Sequence, residues 1–364
     1  MRLKIVLLPG DGIGPEVMVQ AARVLQLVGD AFGHQLHSAQ FAIGAAALRR
    51  HGTALPTETL NACLGSTAVL LGAVGDPAFD HLAAENRPES GLLKLRVALG
   101  GFANLRPART EEALIDATPY RPERVAGADL LIVRELLGGL YYGQPRGASP
   151  DAAFNTMRYT REEVARVARV AFEQAGRRRG LVTSVDKANV LETSQLWRAT
   201  VDDVSRAYPH VRLEHMYVDA CAMRLAFEPP HFDVILTENT FGDILSDQAA
   251  ALAGSIGMLP SASVGGRVDL YEPVHGSAPD IAGLNRANPF GAIASVAMML
   301  RHTARLTREA DLVENAIRHV LSAGMRPADL AAPGTLVSST SELGEAVTHA
   351  LGELIDHQHA YHAV

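Results

Sequence analysis

Residues 234–247 read VILTENTFGDILSD, an apolar strand that runs directly into a helix carrying two carboxylates four residues apart. Positions i and i+4 share one face of a helix, so Asp243 and Asp247 can converge on a single hard cation. Taken alone, the pair is more typical of a solvated helix face. A metal site becomes the better interpretation only through the other segments of the chain.

A second strand-to-helix junction lies at the N-terminus. Residues 3–8 form a strand-like run that leads into PGDGIGPE at 9–16, after which Val17, Ala21 and Val24 follow near helical spacing. The glycines fall as G-x-G-x-G, and no acidic residue ends a second strand at the expected distance, which argues against an ordinary Rossmann dinucleotide site. A plain turn and a ligand-binding loop both fit the segment.

Three arginines are candidates for binding anionic groups. Arg134 follows the apolar run 129–133 and is therefore expected at the carboxyl end of a strand, where open α/β sheets bind ligands. Arg96 and Arg106 lie near an aromatic-containing turn. A guanidinium matches a carboxylate in shape and stays charged, so converging arginines predict a ligand with more than one anionic group. Each arginine taken singly is more typical of the surface.

Candidate acid–base groups also follow strand-like runs. Lys187 ends the run that starts at 181, and it can accept a proton if burial or neighbouring charge lowers its pKa. A lysine at a helix start, paired with Asp186, is the alternative. Asp219 adds a third carboxylate at an expected strand end, and Tyr141 is flanked by glycines that would let it face a cavity.

Residues 272–283 read EPVHGSAPDIAG and could approach a nucleotide closely through small side chains and backbone amides. Asp280 could accept hydrogen bonds from ribose hydroxyls and would repel a 2′-phosphate, which favours NAD over NADP. A Gly/Pro loop that precedes the next helix explains the segment equally well.

Four motifs in this order resemble the β-decarboxylating dehydrogenases of the isocitrate/isopropylmalate family, from Leu8 to about Arg301. They are LPGDGIGPE at 8–16, VDKANVL at 185–191, NTFGDILSD at 239–247 and EPVHGSAPDIAG at 272–283. The resemblance implies an α/β fold of two domains with a large mixed sheet flanked by helices, not the ordinary Rossmann fold. It places a cofactor-binding domain at 1–101 plus 254–364 and a substrate, metal and dimerisation domain at 102–253.

The resemblance further implies an NAD-dependent enzyme that requires Mg²⁺ or Mn²⁺, with K⁺ as a further candidate ion. The expected reaction is oxidative decarboxylation of (2R,3S)-3-isopropylmalate to 2-oxoisocaproate and CO2 in leucine biosynthesis. Another 3-alkylmalate, D-malate or tartrate, and homoisocitrate are the alternative substrates. A cytoplasmic homodimer with active sites shared between subunits is expected, acting on a small molecule and not on nucleic acid or membrane.

Site residues can be assigned from the same resemblance. The catalytic residues would be Tyr141 and Lys187, and the metal ligands Asp219, Asp243 and Asp247. The substrate-binding residues would be Arg96, Arg106, Arg134, Asp219, Glu89, Leu92, Leu93 and Val190. The cofactor-binding residues would be Ile13, Asn189, Glu272, His275, Gly276, Ser277, Ala278, Asp280, Ile281 and Asn288. Lys187 and Asp219 would act across the dimer interface.

Substrate choice would rest on the loop at 88–93, where Leu92 and Leu93, joined by Val190 of the partner subunit, form an apolar wall for the isopropyl group. Glu89 would repel the extra carboxylate of isocitrate. The chain departs from the family pattern at Leu137, Asp76 and Tyr142, where threonine, glycine and phenylalanine are usual. Because Leu137 is close in sequence to Arg134, it leaves open a substrate with a different alkyl group.

Composition narrows the class of protein without identifying it. The net charge is -7 with no basic block, which argues against nucleic-acid binding, and two cysteines favour a reducing compartment. No 18-residue apolar span is present. A phosphoryl transferase is disfavoured because the G-x-x-x-x-G-K-[ST] loop is missing. The tail histidines His357, His359 and His362 are interpreted as a solvated helix end rather than a metal site.

Further strand-like runs alternate with helical stretches, the pattern of an α/β protein. The runs are expected at 69–73, 130–133, 181–185, 213–218 and 234–237. A capping box formed by Thr160 and Glu163 predicts a helix start, and Arg177 to Arg179 before Gly180 predict its end.

Overall fold

The computed structural model describes the backbone of residues 1–362 and the side chains up to His359. The chain divides into two compact units. Unit 1 contains residues 1–101 and the chain from 254 onward, and unit 2 contains residues 102–253. The side chain of His362, one of the three tail histidines, lies outside the described residues.

The first segment of unit 1 alternates strands and helices. Its strands are β1 (Arg2–Gly10), β2 (Gln35–Gln40) and β3 (Ala68–Ala73), and its helices are α1 (Gly14–Phe32), α2 (Gly44–His51), α3 (Thr57–Leu64) and α4 (Pro88–Leu99). The predicted strand-to-helix junction at the N-terminus is confirmed. Val17, Ala21 and Val24 lie fully buried on one face of α1, and Pro15 occupies its first turn, where the absent N–H costs nothing.

Unit 2 has its own strands and helices. The strands are β4 (Ala103–Arg109), β5 (Asp129–Glu135), β6 (Gly147–Ala148), β7 (Ala153–Phe154), β8 (Leu181–Asp186), β9 (Arg212–Tyr217) and β10 (Val234–Thr237). The helices are α5 (Pro122–Val125), α6 (Arg161–Ala175), α7 (Glu192–Ser205), α8 (Val218–Phe227) and α9 (Asn239–Ala250). All five strand-like runs predicted from the sequence are strands, with ends shifted by two residues at most.

The sheet of unit 2 runs in the order β4-β5-β10-β8-β9. Strand β4 is antiparallel to β5, whereas β5, β10, β8 and β9 are mutually parallel. Because parallel strands end at the same edge of a sheet, Arg134, Glu238, Lys187 and Asp219 all follow or end strands at one edge. This edge carries the chemistry of unit 2.

The second segment of unit 1 completes its sheet. It contains β11 (Pro260–Val264), β12 (Asp269–Pro273), β13 (Met325–Arg326) and β14 (Leu336–Val337), with helices α10 (Phe290–His302), α11 (Thr307–Ser322) and α12 (Thr340–His362). The order is β2-β1-β3-β12-β11, and β11 is antiparallel to β12. Helices α1, α10, α11 and α12 pack against one another.

The core of unit 1 on the α3 and α4 side follows strand alternation. Val6 and Leu8 of β1 and Val69 and Leu71 of β3 point to the same face, because residues two apart share a face. They pack with Leu95 of α4 and further buried residues. The two faces of the sheet are therefore covered by different helices, as expected for an α/β unit.

The helix predicted after Thr160 begins as expected but ends early. Thr160 and Glu163 form the capping box, and α6 starts at Arg161. The helix ends at Ala175, and the three arginines before Gly180 form a separate turn, closed by a bond from Gly180 N to Ala175 O of 3.1 Å. Among the described residues no helix has the length and apolar character needed to cross a membrane.

Candidate active site

Helix α9 starts at a position set by Glu238. The Glu238 carboxylate accepts hydrogen bonds from Thr240 N at 3.0 Å and Phe241 N at 2.6 Å, so it satisfies two of the N–H groups that a helix start leaves open. From this start, polar and small residues recur at spacings of three and four along one face. That face consists of Asn239, Gly242, Asp243, Ser246 and Asp247.

Arg134 lies in a slot on this face and is only 4% exposed. Its Nε and Nη2 donate to Asn239 Oδ1 at 3.0 and 2.7 Å, and its Nη1 donates to Asp243 Oδ1. Gly242 makes the slot possible, since a Cβ there would lie 2.6 Å from Arg134 Cγ. One turn of α9 thus fixes the arginine by three hydrogen bonds to two side chains, and the glycine at 242 leaves room for it.

Arg106 reaches the next turn of the same face from β4. Its Nη1 donates to Ser246 Oγ at 2.8 Å and approaches Asp247 Oδ1 at 3.4 Å, and its Nη2 lies 3.7 Å from Asp243 Oδ1. Its Nε donates to Asn104 Oδ1 at 2.8 Å. Two predicted substrate arginines and two predicted metal carboxylates are therefore brought together.

Tyr141 joins the same group. It lies in a short helical turn, Gly139–Tyr141, and its hydroxyl donates to Asp243 Oδ2 at 2.8 Å, while the guanidinium of Arg134 is 5.7 Å from its ring centre. Partial burial, and then the neighbouring Asp243 carboxylate, raise the pKa of Tyr141 above its usual value. The phenol consequently stays protonated at neutral pH and can donate a proton.

Glu135 holds the turn that carries Tyr141. This carboxylate is fully buried and accepts hydrogen bonds from Leu137 N at 3.1 Å and Gly138 N at 2.8 Å. Burial raises the pKa of Glu135 above its usual value of 4.5. Glu135 thus ties the start of the turn to the end of strand β5.

The raised pKa of Glu135 predicts a pH-dependent contribution to stability. The folded chain binds the proton more tightly than the unfolded chain, so this contribution is complete below about pH 4.5 and is lost as pH rises through the folded pKa. Relative to Glu135→Gln, which does not titrate, the unaltered protein should gain free energy of unfolding as pH falls from 7 towards 4.5. Urea unfolding of both proteins at one fixed protein concentration measures this difference. A difference that is constant with pH would contradict the prediction.

Lys187 and Asp219 form a separate pair at the ends of β8 and β9. Lys187 Nζ donates to Asp219 Oδ1 at 2.5 Å. This hydrogen bond is the main reason that the pKa of Asp219 lies below its usual value. The alternative pairing of Lys187 with Asp186 is wrong, because Asp186 instead accepts two hydrogen bonds from Arg198, at 2.9 and 2.8 Å. Asp219 lies in the first turn of α8, one residue past its expected place at the strand end.

The three predicted metal ligands are not gathered within one chain. Among the described residues, no group of three or more His, Cys, Asp and Glu side chains is arranged to hold a metal ion. Asp243 and Asp247 share Arg106, whereas Asp219 is bound to Lys187. The assignment of all three to one metal therefore remains a prediction that requires a second subunit.

The predicted specificity segment is helical, which corrects the expectation of a loop. Pro88 occupies the first turn of α4, and Gly91 packs so closely that a Cβ there would lie 2.6 Å from Ala54 O. Leu92 packs partly against the core of unit 1, whereas Leu93 is 45% exposed. In the same segment Glu89 is exposed, and Val190 is exposed in unit 2.

Arg96 is held inside unit 1 by a predicted cofactor residue. Its Nη2 donates to Glu272 Oε1 at 2.6 Å, and the Glu272 carboxylate is 9% exposed. A charge-assisted bond of this length fixes the direction of both side chains. Their roles towards substrate and cofactor remain predictions.

The predicted cofactor loop packs against the glycine turn of the N-terminus. Ile13 N donates to Ser277 O at 2.8 Å, and a Cβ on Gly12, whose φ is +56°, would lie 1.9 Å from the same oxygen. Only glycine permits that approach. Ala278 follows with a φ of +37°, which turns the chain towards Asp280.

His275 offers an acceptor that has no protein partner among the described residues. Burial lowers the pKa of His275, so the ring is neutral, and its Nδ1 donates to Gly276 O at 2.9 Å. Nε2 is then an acceptor, and it is buried without a hydrogen bond. A buried acceptor of this kind suits a ligand N–H donor.

The remaining predicted cofactor residues differ in how far they are exposed to solvent. Gly276 and Asp280 are exposed and Ile281 is half-buried. Asn288 is buried, where its Oδ1 accepts from Phe290 N at 3.0 Å and its Nδ2 donates to Asp329 Oδ2 at 3.2 Å, so its side chain already serves the start of α10. Asn189 is exposed and belongs to unit 2.

The loop is anchored by residues that sequence reasoning did not identify. The Glu16 carboxylate accepts hydrogen bonds from Gly283 N and, at 3.1 Å, from Asn285 N. Asn285 in turn exchanges hydrogen bonds with Ser341 at the start of α12. The two contacts of Glu16 link positions 267 and 269 residues apart, so no local pattern could reveal them.

Asn239 and Ser246 were also missed, although their signal was present in the sequence. Both lie on the same helical face as Asp243 and Asp247, at offsets of four, seven and eight from Asn239. Only the carboxylates were counted as functional. Reading every polar residue at helical spacing would have included the two neutral side chains that hold the arginines.

The structure resembles the crystal structure of isocitrate dehydrogenase from Methylococcus capsulatus, with a TM-score of 0.85, 35% identity, and coverage of 96% of this chain and 99% of that chain. It also resembles a β-decarboxylating dehydrogenase from Thermococcus kodakarensis in its apo form, with a TM-score of 0.81, 35% identity and coverage of 97% of each chain. The predicted fold class is thereby confirmed: the fold is that of β-decarboxylating dehydrogenases.

Sequence comparison narrows this class. Residues 4–347 match the family described as isocitrate/isopropylmalate dehydrogenase. The 3-isopropylmalate dehydrogenase of Moorella thermoacetica is 53% identical over 354 residues, covering 96% of this chain and 99% of that protein, and that of Aquifex aeolicus is 49% identical over 359 residues, covering 98% and 99%. The chain belongs to the isocitrate/isopropylmalate dehydrogenase family.

Proposed function

We propose that the protein catalyses the NAD-dependent oxidative decarboxylation of 3-isopropylmalate to 2-oxoisocaproate and CO2, a step of leucine biosynthesis. The observation that carries the proposal is the face of α9, where Arg106 and Arg134 flank Asp243 and Asp247 beside Tyr141. Two relatives named 3-isopropylmalate dehydrogenase, about half identical over nearly the full chain, support the same substrate.

Arg106 and Arg134 would bind the malate carboxylates, with Arg96 as a third guanidinium. In the chain alone, Asp243 and Asp247 neutralise the first two arginines. A dicarboxylate substrate would bring further negative charge to guanidinium groups whose planes are already fixed by Asn239 and by Ser246. Substrate binding therefore costs little side-chain conformational entropy, because the two arginines are already ordered.

The carboxylates of α9 fit a hard divalent cation. Asp243 and Asp247 provide only oxygen donors, the type that Mg²⁺ and Mn²⁺ prefer, and Asp219 of the partner subunit would supply the third. Lewis-acid stabilisation of negative charge on the substrate oxygen is what such an ion supplies when bound. A metal ion held by these carboxylates would lie next to the arginines proposed to bind the substrate, so that both could contact the same molecule.

The loop at 272–283 fits NAD. The buried Nε2 acceptor of His275 suits the amino group of an adenine, and the exposed Asp280 suits two ribose hydroxyls while repelling a phosphate. NAD, when bound, supplies the acceptor for the C2 hydrogen of the substrate. Gly12 and Ser277 would shape the loop around it through their close backbone contact.

Two side chains would move protons. Lys187 would accept the proton of the substrate C2 hydroxyl during oxidation as the neutral amine, and it must therefore first lose the proton with which its ammonium group donates to Asp219 in the chain alone. Tyr141 would deliver a proton to the substrate carbon after CO2 has left, a role supported by its hydroxyl lying beside Asp243 on the face that carries Arg134. Each transfer changes the charge of the side chain by one unit, so both groups must be restored before the next turnover.

We further propose a homodimer in the cytoplasm with Lys187 and Asp219 acting on the site of the partner subunit. The separation of this pair from the Asp243 group in one chain supports a shared site. Met223 and Phe227 of α8 and Ile244 of α9 are each 61–62% exposed, and such apolar side chains are typical of subunit contacts. Two buried free cysteines suit a reducing compartment.

The substrate is tested with a panel of malates. With Mg²⁺ and NAD, NADH formation should be fastest with 3-isopropylmalate, slower with 3-methylmalate, and least with D-malate and isocitrate. Burying an isopropyl group against Leu93 is worth roughly 2 kcal/mol, about thirtyfold in kcat/KM. EDTA should abolish the activity and Mg²⁺ should restore it. Isocitrate as best substrate would contradict the proposal.

A different 3-alkylmalate is the second candidate substrate, because Leu137 stands where threonine is usual in the family. Leu137 is half-buried, and its backbone N–H donates to Glu135 just before the turn Gly139–Tyr141. A larger apolar side chain there can shorten the pocket for the alkyl group. The substrate panel tests this candidate: if the pocket is shortened, NADH formation should be faster with 3-methylmalate than with 3-isopropylmalate.

A further inference from the structure

We propose that Asn239 is a positioning residue that holds Arg134 and the turn carrying Tyr141 in a fixed relation. In this proposal it acts through the Arg134 side chain and through the backbone that leads to Tyr141, and not by direct contact with metal or substrate. The inference rests on the proposed function, in which Arg134 binds a carboxylate and Tyr141 transfers a proton. It goes beyond that function by assigning a role to a neutral side chain at the start of α9.

Every polar atom of the Asn239 side chain is used, and the residue is fully buried. Its Oδ1 accepts from Arg134 Nε at 3.0 Å and Nη2 at 2.7 Å. Its Nδ2 donates to Leu136 O at 3.1 Å and Gly138 O at 3.0 Å. An amide has two acceptor sites and two donors, so the set is complete. The oxygen faces only donors and the nitrogen only acceptors, which fixes the orientation of the amide.

The helix does not need this side chain for its own start. Glu238 already caps α9 with its carboxylate, and Asn239 N is satisfied by Tyr159 Oη at 3.1 Å. Asparagine is a poor helix former inside a helix, and its usual advantage is capping. The side chain of Asn239 therefore serves Arg134 and the 136–138 backbone instead of the helix.

The two ends of the amide constrain different catalytic parts. The oxygen fixes the Nε edge of the Arg134 guanidinium, which leaves Nη1 directed at Asp243. The nitrogen donates to the carbonyl groups of Leu136 and Gly138, in the segment that leads into the turn Gly139–Tyr141. Losing the amide would leave a buried guanidinium edge and two carbonyls without these partners, and small displacements at such sites cost about a hundredfold in rate.

Two substitutions of Asn239 test the oxygen end and the nitrogen end of its amide separately. Asn239→Ala removes both and should raise KM for the malate substrate and lower kcat, each by about tenfold or more, with KM for NAD within about twofold. Asn239→Asp keeps an acceptor for Arg134 but places a carboxylate oxygen against the two carbonyl groups. It should therefore lower kcat by about tenfold while KM for the malate stays within about threefold.

A control and a binding measurement make the test specific. Thr110→Val removes another buried hydrogen bond of unit 2, from Thr110 Oγ1 to Leu252 O at 3.1 Å, and should leave kcat and both KM values within about twofold. The rise in Tm caused by the malate substrate alone should be smaller in Asn239→Ala than in the unaltered protein and should be kept in Asn239→Asp.

The outcomes distinguish this inference from the proposed function. The kinetic comparison uses whichever malate the unaltered enzyme oxidises best. If that malate is not 3-isopropylmalate, the proposed function is wrong, but the test of Asn239 can still be carried out. Unchanged kcat and KM in Asn239→Ala would overturn the inference, as would an equal rise in KM for NAD and for the malate. If Asn239→Ala does not fold, a full kcat in Asn239→Asp overturns it.

Discussion

Homodimers of Lys187→Ala should lose about a thousandfold or more in kcat and regain activity when their subunits are exchanged with those of Asp243→Asn. A positioned general base contributes 10²–10⁴-fold, which sets the size of the loss. Asp243→Asn is expected to be inactive for a different reason, because it removes a carboxylate that binds Arg134 and Tyr141. Each parent protein is therefore measured first on its own.

The recovery follows from the proposed sharing of sites across a two-fold interface. A mixed dimer has one site with both defects and one site with neither, since the intact Lys187 comes from the chain that carries Asp243→Asn. Equal mixing gives half mixed dimers with half their sites intact, so about one quarter of normal activity should return. The mixture is unfolded, refolded and assayed for NADH formation.

The control for this experiment is each variant refolded alone, which should stay inactive. If Lys187 served the site of its own chain, every site in a mixed dimer would carry one defect, and no activity would return. That result would contradict the shared-site proposal while leaving the role of Lys187 as a base untouched.

Gly242→Ala should lower kcat/KM for the malate about a hundredfold with a smaller loss of stability. The added Cβ would lie 2.6 Å from Arg134 Cγ and 2.8 Å from Arg134 Cβ, atoms near the backbone that cannot swing aside. Arg134 or the first turn of α9 must shift, and a shift of about 1 Å at this proposed substrate-binding group should cost about a hundredfold. Steady-state kinetics and thermal unfolding measure the two effects.

Gly352→Ala is the matched control. This glycine also lies within a helix, α12, but a Cβ there would meet no atom within 4 Å. The substitution should stabilise the protein by up to about 1 kcal/mol through helix propensity and leave the kinetics unchanged. Normal kinetics in Gly242→Ala would show that the slot for Arg134 is not rigid.

Local patterns predicted the secondary structure around the site well. The run 234–237 is strand β10 without a change at either end, and the capping box marks the start of α6. Both signals lie within a few residues of the element that they predict. The loop expected at 88–93 came from the family resemblance and was wrong. Pro88 instead begins helix α4, and Gly91 allows close packing on Ala54.

Motif reasoning named the charged residues of the site but not what holds them. Arg134 and Asn239 are 105 residues apart, so their contact depends on the register of β5 beside β10. A partner such as Glu272 for Arg96 is likewise visible only in three dimensions. Whether Lys187 serves its own chain or a second one depends on assembly, which no single-chain pattern encodes.

The anchoring of the loop at 272–283 has a consequence for redesign of coenzyme preference. Its shape is maintained by Glu16 at the C-terminal end and by the contact of the Ser277 backbone with Ile13 in the middle of the loop, whereas Asp280 is exposed. Exchanging Asp280 and Ile281 for basic or aromatic residues should therefore leave the scaffold intact. Directed libraries can vary these two positions freely while keeping Gly12 and Glu16 constant.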